Sequence, residues 1–538
     1  MGVVLLTCLT ALMVPPQPLQ LTLDAESAAL SDVAVVCAPA FYTALQPWIE
    51  HRQAQGHRIT LVSNQGSIND IRGRLRQVSK GGKLRWVVLI GDTIGMEGHA
   101  LRDELQTPTA YATATVLPKF GGKHHIATDN AYADLDEDGV PELAVGRITA
   151  DQPIELAQIV QRIIDYEQQE LGPWRQRVNL IAGVGGFGKL ADFVLESATR
   201  RFLTSEIPAH YATTMTYGSW QSPYCPDPQR FHSMAIDRFN EGCLFWVYIG
   251  HGHRRYLDQV HVPGGSFHIL DINDTPKLQS RSGRPISIFL ACHTGAFDNE
   301  HDCMAEQMLR TPGGPIAVVA ASRLTMPYAM AVLGDGMIRR YFHDNVSTLG
   351  EVILGAKQQM LPKRNAAHSV NRQLLDTLAA TFSPNKDQLA DELREHVYLF
   401  NLIGDPLLRI RRPQPIALSV KTHQVAGGLC RVQLQSPIAG RALVEIVCRR
   451  DRLKSRPKPR DTFEFAPEAL DEMQRTYLAA NDPVWAAGEA QVTEGENVVE
   501  LPIPTAANGP CVVRVYVRNE RGDAIGSTAV FVTASRRR

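Results

Sequence analysis

Short unbroken apolar runs alternate with amphipathic stretches over the first three quarters of the chain. Val33-Ala34-Val35-Val36 reads as a strand, residues 41–55 have helical spacing and stop at Gly56, and residues 58–62 read as a strand again. Residues 68–78 predict a helix, and residues 85–90 predict a buried strand ending in Gly91-Asp92. This βαβαβ rhythm predicts a parallel sheet flanked by helices. A second unit follows a helix at 154–170, with strands at 178–182, 244–249, 286–291 and 316–320. Its helices run through about 191–203, 304–309, 331–342 and 349–359, and Asn401 to Pro406 closes it. Beyond Pro413-Gln414-Pro415 the alternation changes to period two at 431–435, 442–447 and 512–517, which predicts an antiparallel sandwich. A basic stretch at 449–460 and an amphipathic helix near 467–479 interrupt that pattern. The expected organisation is a lead over 1–29, an α/β subdomain over 30–172, a second α/β subdomain over 173–412, and a β-sandwich over 413–538.

Two of the apolar runs deliver reactive side chains. Ile286 to Ala291 leads into Cys292, in the turn His293-Thr294-Gly295-Ala296-Phe297-Asp298. Leu244 to Ile249 leads into Gly250-His251-Gly252-His253. Runs this short and continuous are those of parallel strands buried on both faces. Groups just past the carboxyl ends of such strands converge on one crevice. A thiol and an imidazole placed there form a nucleophile and its base. Cys292 is the expected nucleophile, and His251 the base that also protonates a leaving amine. Gly252 has no side chain, so its N–H can approach a substrate carbonyl oxygen. The bland alternative for a lone cysteine is an inert core residue.

Composition narrows the partners. The chain has 538 residues and a net charge of −1, and its basic residues are dispersed apart from Arg536-Arg537-Arg538. No nucleic-acid partner is expected. Nine cysteines lack paired metal spacing and are too sparse for a disulfide framework. The apolar stretch Val3 to Val14 suits a signal-peptide core and is too short to span a bilayer, although no Lys or Arg precedes it. A secreted, periplasmic or cell-envelope protein without an integral membrane segment is expected, and a monomer.

Three further constellations offer other chemistry. Asp134, Asp136 and Asp138, with Gly139 and Glu142, place carboxylates as a calcium loop does, without full EF-hand spacing. Structural calcium is expected there, against a solvated acidic turn. Gly183-Val184-Gly185-Gly186-Phe187-Gly188 satisfies a dinucleotide-binding pattern but lacks the acidic residue after the next strand, near 212–217. His251, His253, Cys292, His293, His301 and Cys303 together offer zinc ligands. No cofactor is expected to be required for catalysis.

The order of landmarks resembles the gingipain-type cysteine peptidase family of the caspase-like clan. That clan places its histidine in a His-Gly pair after one buried strand and its cysteine after the next, as His251-Gly252 and Ala291-Cys292 stand here. Cys292, Gly295 and Phe297 match the family's Cys-x-x-Gly-x-Phe. Asp129, Tyr132, Gly146 and Arg147 match its Asp-x-x-Tyr and Gly-Arg stretch, and Gly404-Asp405-Pro406 its closing segment. The resemblance covers roughly residues 30–410. It implies a caspase/gingipain-like α/β sandwich of two subdomains followed by an immunoglobulin-like domain. It implies a cysteine endopeptidase with a His251–Cys292 dyad and an oxyanion hole from the Gly252 and Cys292 amides. It aligns Asp192 with the acid at the base of an arginine pocket, and so implies cleavage after Arg. Asp192 reads equally as a carboxylate favoured at the start of a helix. Val184 stands where the family has an acid supporting the histidine. That departure leaves open a catalytically inactive binding or sorting module. The basic stretch at 449–460 reads as an exposed, cleavable loop.

Overall fold

The computed structural model describes residues 30–93, 95, 104–169, 171–183, 206–280, 282–344, 346–361, 369–383 and 386–534. Ten strands form one mixed sheet. In chain order they are β1 (Val33–Cys37), β2 (Ile59–Ser63), β3 (Trp86–Ile90), β6 (Ala144–Ile148), β7 (Arg177–Ala182), β8 (Ala212–Tyr217), β9 (Phe245–Ile249), β12 (Ile286–Leu290), β13 (Ala317–Ala321) and β14 (Phe400–Ile403). Two small hairpins lie outside it, β4 (Ala110–Thr113) with β5 (His125–Thr128), and β10 (Gln259–Val262) with β11 (Gly265–His268). The sheet order is β2-β1-β3-β6-β14-β13-β12-β9-β7-β8.

The two α/β units expected from the sequence thus share a single sheet. The join is β14, antiparallel to β13 and parallel to β6. The sequence gives no warning of this, because β14 lies more than 250 residues after β6 and reads as a mere closing segment. All five residues of β1, β3, β9, β12 and β13 are buried. Burial on both faces explains why these runs carry no polar alternation. The helix Ile68–Ser79 begins at a capping box of Ser67 and Asp70 and buries Ile71, Leu75 and Val78. The helix expected at 191–203 lies outside the described residues.

Residues from Gln414 on form two facing sheets, one of six strands and one of three, around a separate core. The helix Pro467–Ala480 departs from this unit. Its Leu470 and Met473 belong to the core of the large sheet, and its Tyr477 hydroxyl contacts Thr216 Oγ1 at 2.8 Å. The loop before it is anchored at two points, while its Arg449, Arg452, Arg456 and Lys458 are exposed, as the sequence leads one to expect. Arg450 donates to the carbonyls of Ile207, Pro208 and Tyr211, and Arg460 to those of Trp220 and Ser222. A buried Arg175–Asp523 pair at 2.7 Å fixes the sandwich against the start of β7.

Candidate active site

Strands β9 and β12 are adjacent, parallel and paired from Phe245 with Ile286 to Ile249 with Leu290. His251 and Cys292 each follow the last pair by two residues, so register alone carries both to the same edge of the sheet. The chain runs from β7 to β8 on one side and from β9 to β12 on the other. The end of β9 therefore borders the point where strand order reverses, the usual place for a crevice. The strand ends are laced together. Gly183 N–H donates to Ile249 O at 2.9 Å, and Gly250 N–H to Leu290 O at 3.3 Å.

Gly252 is where the two loops touch. A methyl group at its Cα would stand 2.7 Å from Cys292 O, 2.9 Å from Ala291 Cβ and 3.0 Å from Thr294 Cγ2. Only glycine permits that approach. The His251 peptide is held from below by Tyr248, whose buried hydroxyl donates to His251 O at 2.7 Å and accepts from Asp258 N–H at 3.3 Å.

Cys292 differs from the other described cysteines. It is half-buried, while the other seven are buried. Burial pushes the thiols of Cys37 and Cys225 up to about 12, which makes them inert. The Cys292 sulfur receives Thr325 N–H at 3.3 Å and lies 3.3 Å from the Thr325 hydroxyl. The strand-to-turn transition is sharp. His293, the next residue, has φ 59°, a left-handed conformation uncommon outside glycine and concentrated at functional turns.

Two buried groups brace this turn. Arg323 accepts His293 N–H on its carbonyl at 3.0 Å, pairs with Asp298 and donates from Nε to His125 O. Tyr111 donates to the same Asp298 at 3.1 Å, so the β4–β5 hairpin supports the cysteine turn. His396 accepts Met326 N–H on Nε2 at 2.8 Å and donates from Nδ1 to Glu392 O at 2.7 Å. It thereby holds the segment that presents Thr325. Thr325, Tyr248, Arg323 and His396 carried no signal in the sequence, because each is defined by a contact made across the fold.

The motif residues meet one another. Arg147 is fully buried and donates to Asp129 from Nε and Nη2, both at 2.7 Å, and its guanidinium lies 5.3 Å from the Phe297 ring. Gly404 N–H donates to Arg147 O at 2.7 Å, and a methyl group on Gly146 would stand 2.6 Å from Gly404 O. Asp405 receives Trp48 Nε1 and Arg52 Nη2, both at 2.6 Å.

The other candidate ligands separate. Asp134, Asp136, Asp138 and Glu142 converge, with one oxygen from each within 4.8 Å of the others. Burial and then neighbouring carboxylates push Asp134 and Glu142 above the usual range, apart from the backbone N–H groups that oppose the shift. An all-oxygen set of four carboxylates fits a calcium ion, which would relieve that repulsion. The six residues considered for zinc form no ligand cluster among the described residues. Cys303 is fully buried, and His253 is exposed and stacked on Tyr256 at 4.4 Å. Burial, then the charges of Arg323, His253 and Lys123, lower His293 to about 4, which keeps it neutral. Asp192, Val184 and all but the first residue of the glycine-rich loop lie outside the described residues.

A half-buried thiol beside a His-Gly loop, at adjacent strand ends of a mostly parallel sheet, defines a cysteine-peptidase type of site. The family model of peptidase family C25 matches residues 27–411. The chain belongs to that family, the gingipain-type cysteine peptidases. No curated protein matches it. Among solved structures it is similar to the crystal structure of the Arg-specific cysteine proteinase gingipain R, with 16% identity and a TM-score of 0.51. That match covers 94% of this chain and 98% of the other. It is also similar to the complex of Porphyromonas gingivalis RgpB pro- and mature domains, with 15% identity, a TM-score of 0.50 and coverage of 93% and 100%. At these identities the likeness concerns the fold. No helix among the described residues is long and apolar enough to cross a membrane.

Proposed function

We propose that the protein is an endopeptidase that hydrolyses peptide bonds with Cys292 and His251. The observation that carries this is the register of β9 against β12, which puts both residues at the same edge, with Gly252 against the Cys292 carbonyl. The thiolate attacks the scissile carbonyl carbon and the oxygen becomes an oxyanion. The amides of Gly252 and Cys292 receive it, and His251 protonates the departing amine. A thioester remains, which water activated by His251 hydrolyses. Asp192 would pair with an arginine side chain, giving cleavage after Arg. The protein acts as a monomer outside the cytoplasm, the C-terminal sandwich is immunoglobulin-like, and Asp134, Asp136, Asp138 and Glu142 hold a structural calcium ion.

Iodoacetamide and an arginyl chloromethyl ketone are expected to label Cys292 and abolish cleavage of arginyl amides. Cys292→Ala is expected to lose activity by orders of magnitude. Absence of labelling with cleavage intact would refute the dyad. A protein that cleaves nothing across a peptide library, with Cys292 unreactive, would instead be the binding or sorting module that Val184 leaves open.

A further inference from the structure

A cluster of metal-type donors lies apart from the cleft and from the acidic loop. His232 lies in the first turn of the helix Phe231–Asn240, His268 ends β11, and Asp274 sits in the short helix Ile272–Lys277. His232 Nε2 lies 3.3 Å from Asp274 Oδ1, and His268 Nε2 lies 3.4 Å from Asp274 Oδ2. We infer that His232, His268 and Asp274 form a binding site for a divalent transition metal of the zinc type.

The three donors already converge, with one ligand atom from each within 4.8 Å of the others, and the two short distances run to different oxygens of the Asp274 carboxylate. A tetrahedral zinc with bonds of about 2.0–2.1 Å separates its ligand atoms by roughly 3.3–3.4 Å. The donor set is two imidazoles and one carboxylate, which selects zinc-type metals over calcium or magnesium. His232 also has the outer support that metal-bound histidines show. Its Nδ1 lies 3.3 Å from Ile269 O, so Nδ1–H donates there and the Nε2 lone pair faces Asp274. The two rings lie with centroids 4.3 Å apart, and both Nε2 atoms face the same carboxylate.

A cation already stands beside two of the three donors. The Lys277 ammonium stands 2.9 Å from Asp274 Oδ1 and 3.3 Å from His232 Nε2. Its side chain is 59% exposed and can swing into solvent when a metal enters. The site also reaches the loop after His251. Leu257 N–H donates to Leu270 O and Ile272 N–H to Arg255 O, both at 2.8 Å, and Tyr256 bridges Asp271. A bound metal would fasten the β10–β11 hairpin and this loop to the helix beneath. The site stands independently of the peptidase reading.

The test uses the full chain, stripped with a chelator and titrated with Co²⁺. Visible d–d bands are expected to saturate at one equivalent, without a thiolate charge-transfer band, and Zn²⁺ is expected to displace them. His268→Ala changes a half-exposed ring and should fold. It is expected to weaken binding by more than the roughly 10–100-fold that a lost supporting bond costs. Lys277→Ala is expected to bind more tightly, because it removes the competing cation. The inference is overturned by absence of the bands, by a thiolate band, by unchanged binding in His268→Ala, or by weaker binding in Lys277→Ala.

Discussion

Gly252→Ala is the sharpest probe of the cleft, because it adds one methyl group where the two loops meet. The new carbon would lie 2.7 Å from Cys292 O, against the 3.4 Å at which ordinary contact begins. Relief therefore requires the His251 loop and the Cys292 turn to part by about 0.7 Å. Neither neighbour can rotate away, since one is a backbone carbonyl and another is Ala291 Cβ. Overpacking of this kind costs about 1–3 kcal/mol. A misplacement approaching 1 Å between catalytic groups costs on the order of 100-fold in rate. The expected variant is folded, somewhat less stable and severely impaired in kcat/KM toward an arginyl amide. Gly73→Ala is the control. It lies in the helix Ile68–Ser79 with nothing within 4 Å of the added carbon, and should gain about 0.5–1 kcal/mol with activity unchanged. If Gly252→Ala keeps kcat/KM within about threefold of the parent, the spacing of these loops does not govern the chemistry.

Arg147→Met leaves Asp129 buried without its partner and is expected to cost about 3–5 kcal/mol in denaturant unfolding. A loss under about 1 kcal/mol would show that the pair adds little. His396 is lowered to about 4, chiefly by burial, so the fold binds fewer protons there than the unfolded chain with its value near 6.5. Its contribution to stability is complete above that upper value and is lost as pH falls toward 4. His396→Gln is expected to flatten the acid limb of the melting temperature in that window, and an unchanged limb would contradict this. Chelation of calcium is expected to lower the melting temperature of the parent, and Asp134→Asn is expected to remove that response. At about 100 times the dissociation constant, bound calcium would contribute about 2.7 kcal/mol.

Structure is legible in the sequence where one local property decides the outcome. Strands β9 and β12 were legible because burial on both faces demands unbroken apolar residues, and their polar ends marked the cleft. Helix Pro467–Ala480 was legible from its periodicity, but its destination was not. Nothing local says that Leu470 and Met473 leave the sandwich for the other core. The β10–β11 hairpin has no such signature, because Gln259-Val260-His261-Val262 is too short and too polar to stand out. Its ending at His268, beside His232 and Asp274, depends on three segments whose proximity only the fold creates.

The motif residues acquire a physical reason once they are seen together. Asp129, Arg147 and Phe297 come from three distant segments and form one buried stack, with Phe297 five residues beyond Cys292. Gly146 and Gly404 are small because their backbones meet at the seam where β14 joins β6. The seam matters to the cleft because the cysteine turn hangs from it. Arg147 reaches that turn through Phe297, and the β4–β5 hairpin reaches it through Tyr111 and Asp298. The N-terminal α/β unit thus braces the turn that carries Cys292, although it supplies neither member of the proposed dyad. On this account Tyr111→Phe, which removes one hydrogen bond to Asp298, should disturb the Cys292 turn more than its distance along the chain suggests.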